Sequence, residues 1–216
     1  MSTRKTSLIM IDYDEPDAGT LIRAAETLRD GDLVIGPTET RYGLMARADS
    51  KDAVSKAFEL KRRSLDSATA VFIRDYADAG DLCATTGLAD SLARAFMPGP
   101  LTLVLSAGDH LSRPIAVDGK VGIRVSSSPF VSGLMEQVDF AVTATSANIS
   151  GGEDCDTIEE IRAGFADRVA LYVDCGPLSG PPSTVVDCTG SRAVVLREGT
   201  ISREMIQETL AGVEEV

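Results

Sequence analysis

Hydroxyl, amide and basic side chains recur where the apolar segments of this chain end. They form five clusters, at residues 38–42, 61–64, 124–128 and 143–150, and at Ser183 with Arg197. The clusters contain no histidine or cysteine, and they lack the paired carboxylates that acid–base or covalent catalysis usually needs. These residue types suit the binding of a phosphate-bearing ligand. If the protein is an enzyme, its rate enhancement would come mostly from positioning the reactants and from stabilising charge on phosphoryl oxygens.

The first cluster follows an apolar run at 33–35 that predicts a short buried strand. Gly and Pro come next, and then Thr38, Thr40 and Tyr42, which a hydrophobic core would not be expected to accommodate. Ligands of open α/β sheets bind beyond the carboxyl ends of strands, so these side chains are candidates for binding a small polar substrate. The alternative is an ordinary strand exit whose hydroxyls cap their own backbone.

Lys61 and Arg63 close a helix predicted over 51–63. They could bind phosphates, or they could only complement the helix dipole, which stabilises a helix by about 0.3–1 kcal/mol. The segment 143–152 leads from an apolar strand into Ser146 and Asn148, whose short side chains suit close approach of a ligand, or a simple polar turn. The chain has no P-loop or dinucleotide-binding glycine motif, so side chains would have to hold any triphosphate.

Helical and strand patterns alternate along the chain. Helices are predicted at 17–30, 51–63, 88–96, 129–137, 157–164 and 202–210, and strands at 33–35, 68–73, 101–105, 121–125, 140–143 and 170–173, followed by an antiparallel pair at 184–187 and 193–196. This order predicts an α/β fold with a twisted, mixed parallel and antiparallel sheet flanked by helices. Without an internal repeat or linker, we expect a single domain over 1–216.

Composition narrows the possible functions. A net charge of −12 and a pI near 4.5 argue against tight, unaided binding to nucleic acid, although a local basic pocket remains compatible with them. No apolar run approaches the roughly 18 residues of a membrane span, and the N-terminal apolar run is too short for a signal peptide. We therefore expect a cytoplasmic protein with no membrane partner.

The cysteines are far apart and the chain has a single histidine, His110. With no Cys-x-x-Cys pair, we expect neither a zinc site nor a Cys/His nucleophile, and we interpret the thiols as structural. The four cysteines are Cys83, Cys155, Cys175 and Cys188.

Seven ordered motifs connect the clusters. They are Pro-Thr-Glu-Thr-Arg-Tyr-Gly-Leu at 37–44, Lys-Arg-Arg at 61–63, Pro-Gly-Pro-Leu-Thr at 98–102, Gly-Ile-Arg-Val at 122–125, Thr-Ser-Ala-Asn-Ile-Ser-Gly at 145–151, Ser-Thr-Val-Val-Asp at 183–187 and Arg-Glu-Gly at 197–199. In this order, over about residues 18–202, the chain resembles the YrdC family, the threonylcarbamoyl-AMP synthases of tRNA modification, in its short, single-domain form. The resemblance implies a YrdC-like twisted sheet around a concave, locally positive cavity.

The resemblance also implies a reaction. L-threonine, bicarbonate or CO2, and ATP with Mg²⁺ would give threonylcarbamoyl-AMP and pyrophosphate. The product would pass to a separate tRNA-modifying transferase complex, so tight tRNA binding by this chain alone is not expected.

Residue roles follow from the same resemblance. The expected catalytic residues are Lys61, Arg63, Ser146 and Asn148, and the expected ATP-binding residues are Lys61, Arg63, Asn148 and Arg197. The expected threonine site consists of Thr38, Thr40, Tyr42, Arg124, Ser146 and Ser183, with Arg124 meeting the carboxylate. Glu39 is expected to be a structural partner, and no protein ligand for a metal ion is expected.

Two segments depart from the family pattern. The Pro and the later Pro-Leu that usually follow Lys-x-Arg are replaced by Ser-Leu-Asp-Ser-Ala-Thr at 64–69. The Pro and His-Pro that usually follow the Gly-Ile-Arg-Val motif become Ser126, Ser127, Ser128 and Pro129, so the rim loses a histidine. These departures favour one alternative, a non-catalytic paralogue that binds nucleotide or RNA in the same cavity. A separate alternative is a carbamoyl-adenylate enzyme like the related domain of hydrogenase maturation, although that domain normally belongs to a much larger protein and this chain has no zinc-finger cysteines.

Overall fold

The structure is a computed structural model that describes residues 6–111, 113–152 and 154–211. Its strands are β1 Ser7–Met10, β2 Val34–Pro37, β3 Tyr42–Met45, β4 Ala70–Phe72, β5 Cys83–Ala84, β6 Leu101–Ala107, β7 Lys120–Arg124, β8 Val142–Ser146, β9 Leu171–Asp174, β10 Thr184–Asp187 and β11 Val194–Arg197. Its α-helices are α1 Ala18–Arg29, α2 Lys51–Leu60, α3 Gly87–Phe96, α4 Pro129–Glu136, α5 Ile158–Phe165 and α6 Arg203–Leu210. Two 3₁₀ turns lie at Tyr76–Asp81 and Ala166–Arg168.

The strands form one mixed sheet. Their order is β1-β9-β2-β3-β8-β4-β7-β6-β10-β11, and β5 pairs with β6. The pairs β1/β9, β2/β9, β4/β7 and β6/β10 are parallel, whereas β2/β3, β3/β8, β4/β8, β6/β7 and β10/β11 are antiparallel. The predicted α/β fold with a mixed sheet is confirmed, and so is the late antiparallel pair.

Helices cover both faces of the sheet because strand side chains alternate between them. On β2 and β9, Val34 and Leu171 pack on the side of α1 and α4, whereas Ile35 and Tyr172 pack on the side of α2 and α5. A third cluster joins β6 and β7 to α3 and α6. Side chains capping the helix starts support this packing, as where Asp17 accepts a hydrogen bond from the Thr20 amide.

All six predicted helices are present, but the helix predicted over 51–63 ends at Leu60. Lys61 is the C-cap, and Arg62 adopts a positive φ of 52°, which turns the chain away from the helix axis. The polar cluster at 61–64 therefore lies in a loop, and the interpretation that these cations occupy the last helical turn is wrong.

Three strands were missed. β1 and β5 have only four and two residues, and β3 was hidden because Gly43 and the polar residues before it suggested a loop. The chain in fact reverses after β2, and β3 pairs with both β2 and β8. Thr38 and Thr40, which we expected a core to exclude, are buried at this turn. β8 also continues to Ser146, three residues beyond the predicted strand end.

Candidate functional site

A cavity of about 580 Å³ opens on the sheet, within the roughly 300–1,000 Å³ typical of small-molecule sites. Its lining residues include Thr38, Thr40, Arg41, Tyr42, Gly43, Arg63, Ala70, Phe72, Thr102, Val104, Lys120, Gly122, Arg124, Ala144, Ser146, Asp154, Ser183, Val185, Leu196 and Arg197. Eight of the ten predicted site residues are among them. The other two, Lys61 and Asn148, are not lining residues but contact the Ser146 segment.

Alternation along the central strands explains which side chains reach the cavity. Leu103 on β6 and Ile123 on β7 are buried against the α3 and α6 side. Their neighbours Thr102 and Gly122 face the opposite side and line the cavity. The floor is open because it is built from small residues: a Cβ at Gly122 would lie 3.1 Å from the Cβ of Ala70. A larger side chain at 122 would therefore crowd both the floor and the neighbouring strand.

The cavity is positively charged although the protein is acidic. The described residues that line it include five cations but one carboxylate, that of Asp154. The cations are Arg41, Arg63, Lys120, Arg124 and Arg197. Two of these cations pair with carboxylates that are not lining residues, Lys120 with Asp187 and Arg124 with Glu39. A polyanion entering the cavity would meet a local excess of cations.

Arg124 lies at the end of β7 and is held on several sides. Its Nη2 is 2.9 Å from Oε1 of Glu39, and Nη2 also donates to Oγ1 of Thr40 at 3.1 Å. The guanidinium carbon is 5.4 Å from the centre of the Phe72 ring. Each of these contacts fixes the plane of the guanidinium, which is the geometry needed to recognise a carboxylate.

The turn between β2 and β3 is organised by Thr38. Its Oγ1 donates to the carbonyl of Arg41 at 2.6 Å and accepts from the amides of Thr40 and Arg41 at 3.2 Å. The side chain therefore caps its own turn and also lines the cavity, so both interpretations of this cluster apply to one residue. Thr40 Oγ1, 3.0 Å from Thr38 Oγ1, connects this turn to Arg124.

Tyr42 is a lining residue whose buried side chain belongs to the apolar cluster on the α2 and α5 side of the sheet. The hydroxyl donates to the carbonyl of Gly176 at 2.6 Å and accepts from the amide of Cys175 at 3.0 Å, in the loop after β9. Burial raises the pKa of Tyr42 well above its ordinary value, so the phenol stays neutral. Its polar end is used to fasten that loop to β3.

Ser183, directly before β10, and Arg197, at the end of β11, meet in the wall of the cavity. Arg197 Nε and Nη2 donate to the Ser183 carbonyl at 3.1 and 2.9 Å, and Nη2 also donates to Ser183 Oγ at 3.1 Å. Ser183 Oγ is 3.1 Å from Oγ1 of Thr102. Burial, and second the charge of Arg124, lower the pKa of Arg197. Both arginines line the same cavity.

Lys61, Ser146 and Asn148 form a separate cluster beside the cavity. The Lys61 ammonium donates to the backbone carbonyls of Ser146 and Asn148, and lies 3.2 Å from Oδ1 of Asn148. Ser146 Oγ donates to the same Oδ1 at 2.6 Å. The Lys61 ammonium thus orders the segment that carries the Ser and Asn side chains.

Burial, and second the neighbouring Arg63, lower the pKa of Lys61 to about 8. Arg63 is itself partly buried, which lowers the pKa of its guanidinium. Its Nη2 donates to the carbonyl of Ala68, and its guanidinium carbon is 5.3 Å from the centre of the Phe58 ring. The expected contact of Lys61 and Arg63 with phosphate remains a prediction.

The ten predicted site residues leave out six polar residues that line the cavity: Arg41, Thr69, Thr102, Lys120, Thr145 and Asp154. Arg41 pairs with Asp154 at 3.2 Å and with Asp156 at 3.4 Å, which ties the turn after β2 to the loop after β8. Lys120 pairs with Asp187 at 2.7 Å. Thr102 is the last residue of the Pro-Gly-Pro-Leu-Thr motif. Alternation along β6 predicts that its side chain lies on the sheet face opposite that of Leu103.

Other features add little to the site. Within the described ranges the four cysteines form no disulfide, and burial raises the pKa of Cys83 to about 11 and that of Cys188 to about 12. In the described part of the chain, no group of three or more His, Cys, Asp or Glu side chains could hold a metal ion. None of the helices in the described ranges is both long and apolar enough to cross a membrane.

Known proteins are similar to this chain in sequence and in fold. The family model Sua5_yciO_yrdC, described as telomere recombination, matches residues 26–199. A Bacillus subtilis protein named threonylcarbamoyl-AMP synthase is 33% identical over 214 residues, which cover 97% of this chain and 62% of that protein. A putative threonylcarbamoyl-AMP synthase of Mycobacterium tuberculosis is 34% identical over 193 residues, 88% of each chain.

Two solved structures are similar as well. Pyrococcus abyssi Sua5 in complex with L-threonine has a TM-score of 0.89 and 32% identity, covering 95% of this chain and 61% of that one. Escherichia coli YciO has a TM-score of 0.86 at 24% identity, covering 93% and 99%, which is a likeness of fold. The chain thus spans 62% of the Bacillus relative and 61% of the Pyrococcus one. Since the family model covers most of its length, the chain belongs to the Sua5/YciO/YrdC family.

Proposed function

We propose that this protein is a threonylcarbamoyl-AMP synthase, a nucleotidyltransferase that uses L-threonine, bicarbonate or CO2, and ATP. One observation carries the proposal: Arg63, Arg124 and Arg197 converge on one cavity with the hydroxyls of Ser146 and Ser183. The names of the relatives support the same reaction. So does L-threonine in the Pyrococcus structure, because the corresponding fold there accommodates that amino acid.

The reaction would proceed in two steps. The threonine ammonium first loses a proton to water, and the neutral amino group then adds to CO2, giving a carbamate and releasing a second proton to water. A carbamate oxygen then bonds to the α-phosphorus of ATP, while the bond from that phosphorus to the bridging oxygen breaks and pyrophosphate leaves with the electron pair. Neither step needs a strong base from the protein, which agrees with a cavity of hydroxyls and cations.

In this scheme Arg124 holds the threonine carboxylate, and Thr40 helps to orient it. Ser183 and Ser146 offer hydroxyls to the amino acid or its carbamate, while Thr38 and Tyr42 shape the pocket. Arg197 and Asn148 face the nucleotide. Arg63 and Lys61 stabilise the phosphates, and Lys61 would exchange some of its carbonyl acceptors for phosphate oxygens.

Magnesium would bind together with ATP. Asp154 is the only carboxylate among the described lining residues, so the fit favours an ion held mainly by phosphate oxygens. When bound, the ion would neutralise part of the phosphate charge.

The adenylate would then pass to a separate transferase that modifies tRNA. The net charge of −12 supports a division of labour in which another protein binds the tRNA tightly. We place the reaction in the cytoplasm, where ATP and tRNA are available.

The direct test is a complete reaction with purified protein, threonine, bicarbonate, ATP and Mg²⁺. Pyrophosphate release above a no-threonine control, together with threonylcarbamoyl-AMP detected by mass spectrometry, would support the proposal. Nucleotide binding without turnover would indicate a non-catalytic paralogue. Turnover with carbamoyl phosphate instead of threonine would indicate a carbamoyl-adenylate enzyme.

Variants would test the residue assignment. Arg63→Ala should weaken ATP binding about tenfold to a hundredfold, as loss of a charge-assisted hydrogen bond does, and leave threonine binding nearly unchanged. Equal weakening of both ligands would contradict the assignment of Arg63 to the phosphates. Lys56→Ala, which removes an exposed lysine on α2, is the matched control.

A further inference from the structure

We propose that Glu39 and Ser126 are positioning residues that hold the Arg124 guanidinium in place for the substrate carboxylate. This inference rests on the proposed function and assigns to the two residues a task in the same site. Neither residue lines the cavity, so both would act through Arg124.

Arg124 and Glu39 form a buried ion pair. The Arg124 and Glu39 side chains are each only 9% exposed. Two charges in such a position must be closely paired, because an unpaired charge there would be strongly destabilising. The pairing is close, since Oε1 of Glu39 is 2.9 Å from Nη2 and 3.3 Å from Nε of Arg124.

The ion pair with Glu39 uses one edge of the Arg124 guanidinium. Glu39 occupies the edge formed by Nε and Nη2, and Thr40 accepts from Nη2. Among the described residues, Nη1 has no hydrogen-bond partner. The guanidinium therefore keeps donor capacity for a ligand, and Glu39 orients it without occupying it fully.

The Glu39 carboxylate is itself held in place by a serine hydroxyl. Its Oε2 accepts a short hydrogen bond from Ser126 Oγ, which in turn accepts from the Ser128 amide at 3.2 Å. Ser128 is the N-cap of α4, and its Oγ donates to the carbonyl of Pro37 at 3.0 Å. Both serines are buried. A chain of hydrogen bonds thus connects helix α4 and the end of β2 to the carboxylate.

These hydrogen bonds give a role to the hydroxyl of Ser126. A proline at 126 could not donate to Glu39, whereas Ser126 fixes the second carboxylate oxygen and so limits rotation of the side chain. With both oxygens engaged, Glu39 can hold Arg124 in only one orientation. Ser126 and Ser128 thereby contribute to the proposed threonine site.

A competing role for Glu39 makes the opposite prediction. If Glu39 were only an internal counter-ion that the substrate carboxylate must displace, its neutralisation would tighten threonine binding. If it positions Arg124, neutralisation loosens the guanidinium and weakens binding. The sign of the change therefore decides between the two roles.

The experiment measures binding of L-threonine and of L-threoninol, which has a hydroxymethyl group in place of the carboxylate, by titration calorimetry. Glu39→Gln should weaken threonine binding about tenfold, the scale of one charge-assisted contact, and change threoninol binding by less than about twofold. Ser126→Ala should act in the same direction by about threefold. The double variant should be no weaker than Glu39→Gln alone, because both act through one contact.

Kinetics provide a readout that a purely structural role would not give. In pyrophosphate release, the KM for threonine should rise in both variants while the KM for ATP changes by less than about twofold. Asp49→Asn, which neutralises a carboxylate paired with Arg47 outside the cavity, is the matched control and should change neither value. Thermal unfolding of each variant reports whether the fold is retained, and Ser126→Ala keeps the test valid if Glu39→Gln does not fold.

The outcomes separate this inference from the proposed function. Unchanged or tighter threonine binding in both variants, with an active wild-type protein, overturns the positioning role and leaves the synthase proposal standing. A parallel loss of threonine and threoninol binding also overturns it, because the defect would not involve the carboxylate. A wild-type protein that neither binds threonine nor releases pyrophosphate overturns the function and this inference with it.

Discussion

Raising the pH above 8 should weaken ATP binding by about tenfold for each pH unit. Burial and the nearby Arg63 lower the pKa of Lys61 from its ordinary 10.5 to about 8. If the protonated ammonium binds phosphate, affinity is constant below that pKa and falls as the free protein loses the proton. At pH 9 about one tenth of Lys61 is protonated, so ATP should bind about tenfold more weakly than at pH 7, a difference of about 1.4 kcal/mol.

The assay is titration calorimetry with ATP and Mg²⁺ from pH 7 to 9.5, a range in which the phosphates themselves are already ionised. Lys61→Arg should remove the pH dependence, because arginine stays charged throughout. Lys61→Ala should bind weakly and with a flat profile. Lys56→Ala, which alters an exposed lysine of α2, should keep the wild-type profile. A flat wild-type profile, or the same slope in Lys61→Ala, would refute the assignment of Lys61 to the phosphates.

Three further predictions concern the site and the fold. Arg124→Lys should raise the KM for threonine about tenfold to a hundredfold in the pyrophosphate assay, because an ammonium cannot reproduce the two parallel hydrogen bonds of a guanidinium. An unchanged KM would exclude the contact between Arg124 and the threonine carboxylate. Tyr42→Phe should lower the free energy of unfolding in urea by about 1–3 kcal/mol, since the loop after β9 loses its buried partner, and an unchanged midpoint would contradict this. Gly36→Ala should be destabilising by about 1–3 kcal/mol, because its Cβ would lie 2.3 Å from Cε1 of Phe130, whereas Gly80→Ala, with open space around it, should be close to neutral.

The helices could be predicted because their signals are local. Each has an apolar stripe, and most begin at a capping side chain, such as Ser50 accepting from the Ala53 amide at the start of α2. The strand β3 could not be predicted in the same way. Its identity depends on pairing with β2 and β8, which are brought to it by the fold rather than by neighbouring residues. The buried polar turn before it has the composition of a loop and the environment of a core.

The site shows the same limit. Residue types and motif order were sufficient to bring Thr40, Arg124, Ser183 and Arg197 into one hypothesis, and the structure places all four around one cavity. The partners of Lys61 could not be predicted, because the helix ends three residues early and the ammonium is directed at carbonyls 85 and 87 residues away in the chain. Long-range contacts of this kind have no signature in local sequence.

The contacts within the site also explain how an acidic protein can keep a positive cavity. Arg41 and Lys120 in the cavity wall are paired with carboxylates. Three other cations in or beside the cavity direct hydrogen bonds at uncharged oxygens: Lys61 at the Ser146 carbonyl, Arg63 at that of Ala68, and Arg197 at that of Ser183. Neutral acceptors satisfy the donors without cancelling the charge, so the charge remains available to a polyanion. Arg124, in contrast to these three, is paired with a buried carboxylate. Lys61, Arg63 and Arg197 thus keep their positive charge where we expect the triphosphate. Arg124 is held in a fixed orientation where we expect the single carboxylate of threonine.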